Sequence, residues 1–136
     1  MELMNKCTCG SSMCINIGES IQDGIFRWYV SYHCNNCGKN IEMDGSGVES
    51  IPKDIQALII EQKGRWGLKS LSSEIKIKYL LRKILENYGN LDLPKDILYC
   101  GTQNQVKWLK SKLIEKGVAE KDLQIKKLEY RTEVAN

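Results

Sequence analysis

Four cysteines near the start of the chain stand in two short pairs that suit a tetrahedral metal ion. The first pair is Cys7-Thr8-Cys9-Gly10 and the second is Cys34-Asn35-Asn36-Cys37-Gly38. Structural zinc takes four soft, deprotonated ligands at about 2.3 Å, and two cysteine pairs on facing turns can supply them. A glycine after each pair fits a tight turn that points amide groups at the sulfur atoms. The sequence therefore predicts a zinc site with the ligands Cys7, Cys9, Cys34 and Cys37.

The spacing leaves alternatives to this ligand set. The first pair is one residue shorter than the second, and Cys14 follows five residues after Cys9, so Cys9 and Cys14 can form the first pair instead. His33 can replace a cysteine, or all of these thiols can be free. Disulfides are not expected, because the segment Met1 to Lys6 has no apolar signal-peptide core and a reducing, cytoplasmic compartment is expected.

The residues between the cysteine pairs predict a β-hairpin that brings the pairs together. Ser12 to Gly18 and Phe26 to His33 form its strands, and Asp23-Gly24 is the turn signal. The second strand alternates between two faces. One face carries Phe26, Trp28, Val30 and Tyr32, and the other carries Arg27, Tyr29, Ser31 and His33. Ile41-Glu42-Met43 is predicted as a third short strand, and Asp44-Gly45-Ser46-Gly47 as the loop that leaves the sheet.

Two cysteine turns with a hairpin between them resemble the zinc-ribbon fold group over residues 7–44. The resemblance implies a three-stranded zinc ribbon, which we assign to residues 1–47. A ribbon of this size has little core of its own, so its aromatic face is expected to pack on an adjoining domain.

Residues 48–136 are predicted to form that second domain, of α+β or α/β class, with about three helices. Pro52 starts the first helix, and Ser72 or Ser73 caps the second, which runs through Glu86 to Gly89. The strand Ile97 to Cys100, a helix that starts with a capping box between Thr102 and Gln105, and the strand Leu123 to Tyr130 together predict a right-handed βαβ unit.

The net charge of +3 conceals an asymmetry between the two halves of the 136-residue chain. Residues 1–64 hold five Lys and Arg against eight Asp and Glu, a balance of −3, whereas residues 65–136 have a balance of +6. The acidic half contains the ribbon, which argues against phosphate binding by the ribbon. No run of eighteen apolar residues suggests a membrane span.

Catalytic residues are not evident in the sequence. Cys100 precedes a predicted helix, where its thiol pKa could be lowered, but Val106 stands where a phosphatase-type loop needs arginine. The only histidine, His33, lies far away in the sequence. The chain is therefore not expected to be an enzyme, and no small-molecule substrate is evident.

A binding function is the remaining expectation. In size, compartment and two-part layout the chain resembles bacterial immunity proteins of polymorphic-toxin and contact-dependent inhibition systems, which implies that it binds and neutralises a cognate toxin. A nucleic-acid-binding protein and an adaptor subunit of a larger complex are the alternatives. The residues expected to contact the partner are acidic or aromatic: Glu19, Asp23, Trp28, Tyr29, Glu42, Asp44 and Glu49.

Overall fold

The computed structural model of the chain describes residues 6–72, 74–91 and 93–128. Within these ranges the chain has the predicted α+β class, with two three-stranded antiparallel sheets and three helices. It divides into two compact units, Met1–Ile59 and Ile60–Asn136. The boundary expected after residue 47 stays a prediction. Over the described ranges, the helices are too short and too polar to cross a lipid bilayer.

The regular elements follow one another with short connections. They are β1 (Cys14–Gln22), β2 (Ile25–His33), β3 (Asn40–Ser46), α1 (Lys53–Lys63), β4 (Arg65–Ser70), α2 (Glu74–Ile84), β5 (Tyr99–Gly101), α3 (Gln103–Glu115) and β6 (Leu123–Leu128). Three 3₁₀ turns lie at Val48–Ser50, Tyr88–Asn90 and Glu120–Asp122.

The first sheet is built around β2, which pairs antiparallel with both β1 and β3. The β1–β2 hairpin closes with Gln22 opposite Ile25, so Asp23 and Gly24 form a two-residue loop. Both loop residues have positive φ, +54° and +75°, which a type I′ turn requires and which Asp-Gly tolerates well. The predicted hairpin turn is confirmed.

The two faces of β2 differ in burial as its alternation predicts. The residues Phe26, Trp28, Val30 and Tyr32 are all 5% exposed or less, whereas Tyr29 is 50% exposed. On the exposed side the strand register forms four cross-strand rows, of which Cys14–His33–Asn40 lies next to the cysteine turns. We call this side the open face, and its other rows are Asn16–Ser31–Glu42, Gly18–Tyr29–Asp44 and Ser20–Arg27–Ser46.

The strand β3 is longer than predicted, because Asp44, Gly45 and Ser46 pair with β2 and do not form an exit loop. Gly45 lies opposite Trp28, and a Cβ atom at Gly45 would come 3.0 Å from the indole ring. The glycine therefore makes room for a buried tryptophan. The indole Nε1 donates a 2.8 Å hydrogen bond to Ser50 Oγ, and Ser50 Oγ donates to the Gly47 carbonyl at 2.8 Å.

The helix α1 begins one residue after Pro52, close to the predicted start, and ends before Gly64. Gly64 has a φ of +93°, and its N–H donates to the Ile60 carbonyl at 2.8 Å, which satisfies one of the last helical carbonyls. The apolar side of α1 buries Ile55, Leu58 and Ile59.

The second sheet has the order β5-β4-β6, and both outer strands run antiparallel to β4. The strands β5 and β6 therefore run in the same direction, with α3 connecting them and β4 between them. This is a split βαβ unit. The predicted βαβ connection is present, but its two strands are not neighbours.

The helix α3 has the predicted capping box and buries one apolar side. The Gln105 N–H donates to Thr102 Oγ1 at 3.3 Å, and the Thr102 N–H donates to Gln105 Oε1 at 3.3 Å. Val106, Leu109 and Leu113 are fully buried.

The helix α2 ends at Ile84, earlier than predicted, and the chain continues to the 3₁₀ turn at Tyr88–Asn90. The expected cap at Ser73 and the last two residues of the expected final strand lie outside the described residues.

Candidate metal centre

The first cysteine turn is held by its own backbone. The Cys7 N–H donates to the Ser11 carbonyl at 2.8 Å, and the Gly10 N–H donates to the Cys7 carbonyl at 2.9 Å. Gly10 has a φ of +95°, a conformation that glycine adopts without steric cost. The chain then enters the sheet through a bridge between Lys6 and Ser12.

The second cysteine turn joins β2 to β3 and is closed by the same pattern of backbone hydrogen bonds as the first. The Cys34 N–H donates to the Lys39 carbonyl at 2.8 Å, and the Gly38 N–H donates to the Cys34 carbonyl at 2.8 Å. Gly38 has a φ of +81°. Because Cys14 pairs with His33 at the same end of the sheet, the two cysteine turns lie close together.

The four predicted cysteines converge on one point between these turns. The Sγ atoms of Cys7 and Cys37 are 3.4 Å apart, and those of Cys9 and Cys34 are 3.6 Å apart. All four Sγ atoms lie within 4.8 Å of one another. Each pair thus joins one cysteine of the first turn to one of the second.

These distances fit a tetrahedral metal ion and exclude disulfides. Four sulfurs at about 2.3 Å from a central ion are separated by about 3.8 Å, near the distances observed here. A disulfide needs sulfur atoms about 2.05 Å apart, and all six cysteines are free thiols. Cys7 and Cys34 are buried, whereas Cys9 and Cys37 are exposed, so the cluster lies at the edge of the unit. The four cysteines can hold a metal ion.

Hydrogen bonds give the four thiols unequal acidity. The Asn36 amide donates to Cys9 Sγ at 3.5 Å and, together with the backbone and hydroxyl of Ser11, lowers the pKa of Cys9 to about 5. The Lys39 backbone favours the Cys37 thiolate, but the neighbouring sulfurs of Cys7 and Cys34 outweigh it and raise the pKa of Cys37 to about 11. The Cys9 backbone N–H and the Cys37 side chain lower the pKa of Cys7. A metal ion bound by all four sulfurs therefore displaces at least one thiol proton.

The two alternative ligands are not part of the cluster. Cys14 is exposed on β1 and accepts a hydrogen bond at 3.2 Å from Asn35 Nδ2. His33 lies across from Cys14 on β2, and neither residue joins the group of donors found among the described residues.

The sequence analysis did not identify the two asparagines of the second turn as functional residues. Both donate a side-chain hydrogen bond to a cysteine sulfur atom. Asn36 contacts Cys9 and Asn35 contacts Cys14, so each links the second turn to the first segment. The sequence does show two consecutive asparagines between two cysteines. Their contacts with sulfur could not be predicted from it, because the sequence does not show which cysteines lie across the sheet.

Cys100 lies outside this cluster, in the middle of β5. Burial raises the pKa of its thiol despite the guanidinium of Arg65, whose Nη2 lies 3.8 Å from Cys100 Sγ. The raised pKa disfavours the thiolate form that a nucleophile requires. The absence of enzymatic activity remains an expectation.

The residues expected to contact a partner fall in different places. Tyr29, Glu42 and Asp44 share the open face, and their side chains are exposed. Trp28 is buried and its N–H is bonded to Ser50, so Tyr29 is the accessible aromatic residue of the two. The others are separate from the open face: Glu19 pairs with Trp28 on the opposite face, Asp23 lies in the hairpin turn and Glu49 in the first 3₁₀ turn. The partner-binding role of all seven stays a prediction.

Comparison with known proteins finds no relative of this chain. No protein-family model matches the chain, and neither a curated protein nor a solved structure matches it. The resemblance to immunity proteins therefore has no support from these comparisons, and the four-cysteine cluster is the feature from which function must be argued.

Proposed function

We propose that the chain is a zinc-binding protein whose metal site is structural. The observation that supports this is the convergence of the sulfur atoms of Cys7, Cys9, Cys34 and Cys37 within 4.8 Å. Four thiolates in tetrahedral arrangement favour zinc or iron over harder metals, and a mononuclear site without redox chemistry is typically zinc. Four protein ligands leave no open position for substrate or water, which distinguishes a structural site from a catalytic one.

Metal analysis of the full chain tests this proposal directly. Protein purified without added metal should contain one zinc per chain and lack the visible absorption of iron–thiolate sites. Cys7→Ser, Cys9→Ser, Cys34→Ser and Cys37→Ser should each lose the zinc. Cys14→Ser and Cys100→Ser are matched controls that should keep it. A folded, metal-free wild-type protein, or zinc loss in Cys14→Ser with retention in Cys7→Ser, would contradict this ligand set.

We further propose that the chain acts by binding a protein with a basic surface, as a cytoplasmic immunity protein that neutralises a cognate toxin. The −3 balance of residues 1–64 and the exposed carboxylates of Glu42 and Asp44 beside Tyr29 support this proposal. Toxins that cleave nucleic acid carry basic substrate-binding surfaces. An acidic protein approaches such a surface rapidly and can cover it.

Co-expression with the product of an adjacent candidate toxin gene tests this function. We expect rescue of growth and a one-to-one complex, with both lost when Glu42 and Asp44 are changed to lysine. Charge reversal at Glu120, an exposed carboxylate of the second unit, is the control and should leave rescue intact. Rescue that survives the double reversal would reject the open face as the binding surface. Salt-sensitive binding to RNA or DNA, with no protein partner, would indicate the nucleic-acid alternative.

A further inference from the structure

The ring of Tyr29 lies against the backbone of the neighbouring strand. Tyr29 on β2 is directly opposite Gly18 on β1, and a Cβ atom at Gly18 would overlap the tyrosine ring. Gly18 has no positive φ, so its lack of a side chain serves the ring and not the backbone. One side of the ring therefore rests on the strand, while the side chain remains 50% exposed. The open face thus carries an exposed aromatic ring whose position is fixed by contact with the backbone of β1.

A carboxylate lies next to this ring. Asp44 on β3 is directly opposite Tyr29, and cross-strand partners have Cβ atoms about 4.5–5.5 Å apart. Within the described part of the chain, Asp44 makes no hydrogen bond or ion pair, whereas its neighbour Glu42 accepts one at 3.0 Å from Asn40. An exposed carboxylate beside an aromatic ring is a favourable arrangement for a cation that can contact both.

These two residues line a groove large enough for a side chain and its adjoining peptide groups. The groove has a volume of about 570 Å³. Besides Tyr29 and Asp44, Gly18 and Arg27 are among the residues that line it.

We propose that this groove binds an arginine side chain of a protein partner, with the guanidinium stacked on Tyr29 and paired with Asp44. Arginine suits the site better than lysine, because its planar guanidinium stacks on an aromatic ring and presents two N–H groups to one carboxylate. Arg27 lies two residues from Tyr29 on the same face. It provides donors for the carbonyl oxygens that accompany an arginine within a peptide, so the ligand is a peptide arginine and not an isolated cation.

A nucleobase could also stack on Tyr29, but the surrounding charge favours the arginine. Residues 1–64 have a balance of −3, and on the open face the groove is lined by one carboxylate, Asp44, directly beside Tyr29, and by one cation, Arg27. A phosphate placed on the ring would be repelled by Asp44 and by the negative balance of this half, whereas a cationic side chain would be attracted by both. The arginine site specifies how the proposed binding function would recognise its partner. It rests on that proposed function only for the assignment of the arginine to a basic protein.

Titration of zinc-loaded, full-length protein with N-acetyl-arginine-N′-methylamide, followed by amide chemical shifts, tests the site without any toxin. We expect saturable shifts confined to the amides of the groove, centred on Gly18, Tyr29 and Asp44. The matching citrulline compound, which is isosteric but uncharged, should cause roughly tenfold weaker changes, since the charge supports both the stacking and the carboxylate pairing. Equal responses to the two compounds, or no localised response to arginine, would overturn the proposal.

Two variants separate the roles of the ring and the carboxylate. Asp44→Asn keeps the shape of the side chain and should weaken arginine binding about tenfold, while leaving the spectrum otherwise intact. Gly18→Ala changes no polar group of the groove but displaces the Tyr29 ring, and should weaken binding as well. If Gly18→Ala perturbs the fold, Asp44→Asn alone decides. Unchanged affinity in Asp44→Asn would refute the site.

The outcome is distinguishable from that of the toxin experiment. A positive arginine titration with no rescue in co-expression would retain the site and reject toxin neutralisation. Rescue with a negative titration would retain the function and reject the site. Groove shifts caused by guanosine monophosphate and not by the arginine compound would replace the proposed ligand with a nucleotide.

Discussion

At the scale of single residues, two glycines of the first sheet make space for aromatic rings on opposite faces. Gly18 accommodates the exposed Tyr29 ring, and Gly45 accommodates the buried Trp28 ring. The consequences of adding a methyl group differ. The Tyr29 side chain can move into solvent, whereas Trp28 is 5% exposed and bonded to Ser50 at 2.8 Å. Gly45 is therefore the position where a small change should cost the most stability.

We predict that Gly45→Ala destabilises the protein by about 1–3 kcal/mol, the usual cost of forcing an extra methyl group into a well-packed site. The added Cβ would lie 3.0 Å from both the indole ring and Ser50 Oγ, neither of which can shift freely. Urea unfolding followed by tryptophan fluorescence measures the effect. Gly89→Ala is the control, because nothing lies within 4 Å of its Cβ position and its φ is not positive, so its stability should be unchanged or slightly increased. Equal stability of the two variants would show that Trp28 repacks without cost.

The sequence indicated the cysteine cluster but not the purpose of these glycines. Cys7, Cys9, Cys34 and Cys37 were predictable because metal ligands have characteristic spacing, and the structure brings those four together. The sequence places Gly45 in a predicted loop, since two glycines in four residues usually mark one, whereas in the structure Gly45 pairs within the sheet. The tryptophan that requires the glycine lies seventeen positions away in sequence and becomes its neighbour only through strand register.

At the scale of secondary-structure elements, α3 begins with a capping box and connects the two strands of the split βαβ unit. Both members of its capping box are buried, and each satisfies a backbone N–H of the first turn or of the cap residue itself. Buried donors without partners are costly, so this cap matters more than a solvent-exposed one.

We predict that Thr102→Ala lowers stability by about 0.5–2 kcal/mol, because the Gln105 N–H loses its acceptor in a buried position. Thr102→Ser, which keeps the hydroxyl, should recover most of the loss. Gln103→Ala on the exposed side of the same turn controls for helix propensity and should change stability little. Thermal unfolding of the three variants provides the comparison. A Thr102→Ser variant as unstable as Thr102→Ala would assign the effect to the lost methyl group.

The local signals of α3 were readable because caps and helical periodicity depend on residues within a few positions. The sheet order was not readable, because the strand that separates β5 from β6 is β4, which pairs with both of them through residues far apart in sequence. Tertiary packing selects which strands pair, and a local sequence pattern carries little information about that packing.

At the scale of the whole molecule, the two units differ in what stabilises them. The first sheet buries one face and leaves the open face to solvent, and the candidate metal cluster joins its two cysteine turns at one end. The second unit has its own apolar core, with Leu68, Val106, Leu109 and Leu113 fully buried. If the cluster binds zinc, the free energy of metal binding contributes to folding of the first unit, which small sheets otherwise achieve only marginally.

We predict that zinc chelation loosens the first unit while the second stays folded. Hydrogen–deuterium exchange of the full chain should show loss of protection in peptides covering residues 14–46 after chelation, with protection retained in peptides covering residues 103–115. Cys34→Ser should reproduce this pattern without chelator, because one missing ligand leaves an incomplete metal site, and Cys14→Ser should resemble the wild type. The physical basis is that the free energy of metal binding stabilises the cysteine turns, whereas α3 and its sheet depend on apolar burial. Simultaneous loss of protection in both regions would show instead that the two units unfold as one cooperative structure, and unchanged protection in both would show that the metal adds no stability.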